Sequence, residues 1–379
     1  MTTPAGTARR IAFLDQIRGV VILLVVLHHT AITYGGEGSW YYREHVAQLR
    51  HDSAAALLTM FCAINQSFFM GLFFLLAGYM TPAAYDRKGA LRYLRDRALR
   101  LGIPLLLFAY FLDALTNAIA QQPRQHDFVF DLVVNVASLN YAPGPMWFVQ
   151  TLLVFALAYA LLRALRKGGV PLAPSDTAPL PRPRTLLAAA LGTGTVAFAL
   201  RLWFPTGAEV AHLQLGYFAS YVLLFVAGCV AWRHRWLERI DWAYARRWWI
   251  VTLIAIPVLP LGILALHTWQ HGVVGVSGGW NLDALLYAFW EPLVAWGIIL
   301  ALLWYFRAKV NPDRVHGLSR AAYAIYLLHP PVVVAISVAL RPWDAPPLLK
   351  FVVVGTLSCM AAYILASLLL RIRAVARIL

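Results

Sequence analysis

Two histidines and an arginine stand in the first apolar stretch of the chain, "LDQIRGVVILLVVLHHT" (14–30). An imidazole takes or gives a proton near neutral pH, and a guanidinium holds a carboxylate or phosphate through paired N–H donors. In an α-helix, Arg18 and His29 would be eleven residues apart, which is about three turns plus 20° and a rise of about 16 Å. Both side chains would share one face, Arg18 near a membrane surface and His29 toward mid-membrane, with His28 turned about 100° away. Polar groups at membrane depth are costly and usually face a protein interior or a wet cavity. The pair could hold an anion at one end and move a proton at the other. A histidine there can equally serve as a hydrogen bond to a neighbouring helix, and spacing alone supports both readings. A cleaved signal peptide would have a charged start and a short apolar segment, but two histidines directly after the apolar run argue against it.

Other polar residues interrupt apolar stretches. Asn65, Gln66 and Ser67 fall inside a second apolar helix and could line a substrate path or satisfy neighbouring helices. Arg92, Arg95, Arg97 and Arg100 crowd the start of a third, as a phosphate site or as a lipid-facing cationic rim. Glu291 lies beside Pro292, whose missing N–H frees a carbonyl, so it is read as a site residue or as one end of a structural bond. Tyr323, Tyr326 and His329 recur at intervals of three on one helical face, His329 toward the outer end of its helix. An interfacial aromatic belt explains tyrosines equally well. Trp40, Tyr41, Tyr42, Trp269 and Trp280 fall in outer loops and read as membrane anchors, although aromatic faces also stack on sugar rings. Cys62, Cys229 and Cys359 each sit in an apolar run without metal-ligand spacing and read as small core residues.

The elements that position these residues follow from composition. Of 379 residues 61% are hydrophobic and only 13% charged, with a mean hydropathy of +0.66. Too little polar surface remains to cover a soluble fold. Stretches long enough to cross about 30 Å of hydrocarbon lie near 11–34, 55–80, 101–121, 145–165, 185–204, 213–232, 248–267, 282–306, 319–340 and 348–370. The expected fold is therefore all-α, a polytopic bundle of about ten transmembrane helices. Most of the 32 Lys and Arg fall in the loops of one side, which places both termini in the cytoplasm. Basic loops beside anionic lipid account for most of the +15 net charge without a nucleic-acid partner. A proline-rich cytoplasmic linker (166–184) joins helices four and five, and one membrane domain is expected to fill residues 1–379.

Four segments carry a family likeness: "LDQIRGVVILLVVLHH" (14–29), "FFLLAGY" (73–79), "PMWFVQTLLVF" (145–155) and "LSRAAYAIYLLHPP" (318–331). In this order on a ten-helix chain they resemble the bacterial acyltransferase-3 family of integral membrane O-acyltransferases. The resemblance implies Arg18 and His29 as the catalytic pair, with Tyr79, Trp147, Tyr326 and His329 at matching motif positions. Where many members have an acidic residue shortly after the tryptophan of helix four, this chain has Gln150. The implied donor is an acyl-coenzyme A used as co-substrate, most readily acetyl-CoA, with no tightly bound cofactor and no metal. Arg18, Arg92, Arg97 and Arg100 would hold its phosphates. Asn65, Gln66, Tyr79, Trp147, Glu291, Tyr326 and His329 would line the acceptor path. The acceptor would be a hydroxyl of a carbohydrate or glycosylated compound, and the location the bacterial cytoplasmic membrane among its lipids. A secondary transporter or flippase for a sugar or lipid-linked substrate would also have ten helices with intramembrane His, Arg and Glu. A succinyl transferase acting on periplasmic glucan would keep the mechanism and change the donor.

Overall fold

The computed structural model of the chain describes residues 5–44, 53–121, 126–165, 178–270, 275–311 and 316–379. Among them ten helices are long and apolar enough to cross a membrane. They are α1 (Ala5–Thr33), α2 (Ser53–Lys88), α3 (Ala90–Ala120), α4 (Gly144–Leu165) and α5 (Pro183–Arg201). The rest are α6 (Leu215–His234), α7 (Trp242–Gln270), α8 (Leu282–Lys309), α9 (His316–Ala339) and α10 (Pro347–Leu369). No strand occurs among the described residues. Residues 166–177 of the expected linker lie outside them.

The spans match the expected ones to within a few residues except around α2 and α3 and at the starts of α1 and α7, which each begin six residues early. α2 continues past Pro82 to Lys88 rather than ending at 80, and α3 begins at Ala90 rather than 101. Hydropathy falls at residue 80, but the backbone keeps its helical bonding into a polar extension. That extension ends with Arg87 and Lys88, cations favoured beside the unpaired carbonyls of a helix C-terminus. Gly89, at φ +74°, closes it, its N–H bonding the Tyr85 carbonyl at 2.8 Å, and α3 starts at the next residue. Within α3 two π turns, Ala98–Gly102 and Phe108–Leu112, flank the segment containing Pro104.

Contacts group the chain into two units, each drawn from separate segments: 1–17, 66–93 and 158–314 in one, 18–65, 94–157 and 315–379 in the other. In the first unit α7 packs along α8, α8 against α5, and α5 against α6. Here the glycine of "AGY" has a packing reason. A Cβ at Gly78 would run into the Phe225 backbone, and one at Gly228 would stand 2.7 Å from the Tyr79 nitrogen. The pair lets α2 and α6 meet backbone to backbone.

In the second unit α1 is buried among its neighbours. A Cβ at Gly19 would lie 2.9 Å from the Ser319 nitrogen, and ten residues on in both helices His29 meets His329. Two contacts with equal spacing mean that α1 and α9 run parallel and in register. α10 runs against α1, Cys359 lying beside the Leu23 carbonyl and Gly355 beside Leu27. Ala31, Ile32, Tyr34, Leu58, Cys62 and Val354 close a small apolar core over the end of α1.

Candidate active site

The site in the second unit starts from a proline. Pro330 has no N–H, so the Tyr326 carbonyl four residues back loses its helical partner. His329 Nδ1 takes that carbonyl at 2.6 Å. A carbonyl oxygen only accepts, so His329 Nδ1 carries the hydrogen and, in the neutral ring, Nε2 carries the lone pair. His29 Nδ1 stands 3.1 Å from that Nε2 and is therefore the donor. The neutral His29 ring is left with its lone pair on Nε2. The "HP" of the sequence thus sets the His329 tautomer through one unpaired backbone oxygen, and the His29 ring bonds the Val25 backbone as well as His329.

Position along the helix differs from expectation at both histidines. His29 lies about one turn from the end of α1 rather than at mid-span, whereas His329 has nearly three turns of α9 beyond it rather than standing at its outer end. The reason is register: α9 runs on for Pro330–Ala339 after the level at which α1 gives way to the segment 34–44.

That segment is strapped across the site. Gly36 N–H bonds the Ala31 carbonyl at 2.8 Å and Glu44 N–H bonds the Thr33 carbonyl at 2.8 Å. The Tyr41 hydroxyl donates to Asp113 near the end of α3, and Lys350 of α10 donates to Glu44 in a buried ion pair. Burial and the Glu44 carboxylate both push the Tyr42 hydroxyl up, so it stays neutral. Held this way, Trp40 lays its indole over His29, with ring centroids 4.0 Å apart and planes 20° apart. It is not the membrane anchor that its loop position suggested. Trp40 is stacked on His29, while the His29, His329 and Tyr326 rings stand beside one another with successive planes 27° and 22° apart. The Trp40 Nε1 is closed off from solvent and bonds no atom among the described residues.

Other candidates fall around this core or apart from it. The Tyr326 hydroxyl donates to the Pro145 carbonyl at the start of α4, and Phe148 meets the Tyr326 ring edge-on at 6.2 Å. Trp147 beside it is half-buried. Gln150, which stands where the resembling family often has an acid, accepts from the Tyr141 hydroxyl at 2.8 Å. Burial and nearby Tyr110 push that hydroxyl up, so it remains a donor. Asn65 is buried, and its Nδ2 bonds no described atom. Arg18 is half-buried on the same unbroken helix as His29; Arg97 is half-buried, and Arg92 and Arg100 are exposed.

In the first unit Gln66 and Glu291 belong to a different polar cluster. Gln66 donates to Tyr221 at 3.2 Å, and Glu291 pairs with Arg201, whose side chain is 1% exposed. Arg201 Nε bonds the Gly216 carbonyl at 3.0 Å, and the guanidinium lies 5.2 Å from the Tyr217 ring and 5.1 Å from that of Tyr287. A buried Arg–Glu pair depends on such additional partners, and of the guanidinium nitrogens Nη1 bonds no atom among the described residues. Tyr79 stands elsewhere, donating to Glu238 at 2.9 Å. Sequence reading missed Trp40, Arg201 and Lys350. Arg201 and Lys350 lie 90 and 306 residues from their partners, so no local signal marks them.

A family model described as an acyltransferase domain matches residues 11–368, nearly the whole chain. No curated protein and no solved structure matches.

Proposed function

Since the chain belongs to the acyltransferase-3 family, and so is a membrane-spanning acyltransferase, we propose that it moves an acyl group, most readily acetyl, from coenzyme A to a carbohydrate hydroxyl. The observation that carries this reading is the bonded series from the Tyr326 carbonyl through His329 to His29, which leaves a basic lone pair on His29 Nε2.

The chemistry then runs as a direct transfer. An acceptor hydroxyl attacks the thioester carbonyl while its proton passes to His29 Nε2. The imidazolium so formed is held by its Nδ1–H bond to His329 and by the face of Trp40, which attracts a cation. The tetrahedral intermediate collapses by breaking the carbon–sulfur bond, and the proton on His29 goes to the departing thiolate. Arg18, Arg97 and Arg100 hold the phosphates of the donor as paired N–H donors. The rise of about 16 Å from Arg18 to His29 suits the long, thin pantetheine arm. Carbohydrate acceptors fit a group of near-parallel rings whose faces can stack on a sugar.

Thermal stability of the purified protein with coenzyme A, acetyl-CoA and succinyl-CoA tests the donor, because a ligand that binds the native state raises the melting temperature. Acetyl-CoA is expected to stabilise the wild type and His29→Ala alike. Arg97→Ala with Arg100→Ala is expected to lose much of the effect. If no thioester stabilises the wild type at concentrations above about a millimolar, where binding would leave less than about 4 kcal/mol, the reading fails.

A further inference from the structure

An acyl transfer needs more than a base. When a hydroxyl adds to a thioester the carbonyl oxygen gathers negative charge, and aimed N–H donors that meet it supply much of the rate. The described site offers a donor with no other employment. The Trp40 indole is stacked 4.0 Å over His29, its Nε1 is shut off from solvent, and that N–H bonds nothing among the described residues. A buried N–H without an acceptor is disfavoured in a folded protein and calls for an explanation.

The position is held by the strap, which must yield slightly for an acyl oxygen to reach the N–H, since that atom has no accessible surface as it stands. Trp40 sits in a segment tied by Tyr41 to Asp113, by Glu44 to Lys350 and by two backbone bonds to the end of α1. A hydroxyl that gives its proton to His29 stands within hydrogen-bond reach of that ring. The carbonyl it attacks is bonded to it, so the developing oxyanion forms beside the stack in which the indole lies. We infer that Trp40 Nε1–H donates to the oxyanion of the tetrahedral intermediate, which makes Trp40 a catalytic residue of the proposed reaction. This rests on the acyltransferase reading above and goes beyond it. The N–H forms no covalent bond: it donates while the carbonyl oxygen is negative and is released when the carbon–sulfur bond breaks.

The test separates the N–H from the ring. Thiol release from acetyl-CoA, with water or added monosaccharides as acceptors, is followed for the full-length wild type, Trp40→Phe, and the chain carrying 3-benzothienylalanine at position 40. That analogue keeps the bicyclic shape and replaces N–H by sulfur. Loss of one oxyanion donor is expected to lower kcat about 100-fold in both variants, with KM for acetyl-CoA and its thermal stabilisation unchanged. A ring that only packs, or only attracts the imidazolium, would leave the benzothienyl variant near wild type. A kcat within twofold of wild type for that variant overturns the inference and leaves the acyltransferase reading standing. No thiol release and no acyl transfer by the wild type removes both.

Discussion

At the scale of the residue, the backbone oxygen of Tyr326 governs the pair of histidines. With the "HP" dipeptide in place, His329 cannot donate to His29 while neutral, so the direction of the bond between them is fixed. His329→Ala removes the acceptor for His29 Nδ1–H and frees the ring to rotate and change tautomer. Turnover is expected to fall between about 100- and 10,000-fold, the range typical of a lost acid–base arrangement. His329→Gln, whose amide oxygen can accept from His29, is expected to recover part of it. Pro330→Ala restores the helical N–H at Tyr326, which then competes with His329 for the carbonyl. That variant should be at least as stable as wild type but slower, and steady-state kinetics beside thermal melting would show a split that a packing defect cannot produce.

Elements place these residues where no single helix could. α1 and α9 run in parallel register because glycine at position 19 lets the backbones approach, and the same register brings His29 to His329 ten residues on. The strap over the end of α1 depends on the buried pair of Glu44 and Lys350, whose side chains are 5% and 4% exposed. Lys350→Met takes the buried cation from the Glu44 carboxylate, so it is expected to destabilise the protein by up to about 3–5 kcal/mol, whereas adding Glu44→Leu should return much of that loss. Denaturation in detergent checks the stability. Quenching of tryptophan emission by acrylamide reports whether the strap has lifted, and an unchanged single variant would show that the pair does not hold the segment down.

For the whole molecule, the distribution of basic residues is the dominant sequence signal. We propose that both termini are cytoplasmic; Arg97 and Arg100 would then stand toward the cytoplasmic end of α3, on the side where coenzyme A is available. A fluorescent protein fused after Leu379 is expected to fluoresce and alkaline phosphatase at the same point to stay inactive, with the reverse result for insertions in the 202–214 loop. An inverted outcome would put the arginine cluster on the wrong side for the donor and remove it as the nucleotide site.

Composition and span length determined the number of the helices, though not the limits of α2 and α3, because the cost of exposing a polar backbone to lipid leaves few alternatives to a helix of about 20 apolar residues. The order of four short motifs determined the family, and His29 was visible as a polar residue at the end of an apolar run. What only the tertiary structure decided are the meetings between distant residues: His329 on His29, Trp40 over both, Arg201 on Glu291 and Lys350 on Glu44. Helical periodicity orders side chains around one axis but carries no record of the neighbouring axis or its register. A loop tryptophan in sequence therefore looks like any interfacial anchor until the strap that holds it has folded.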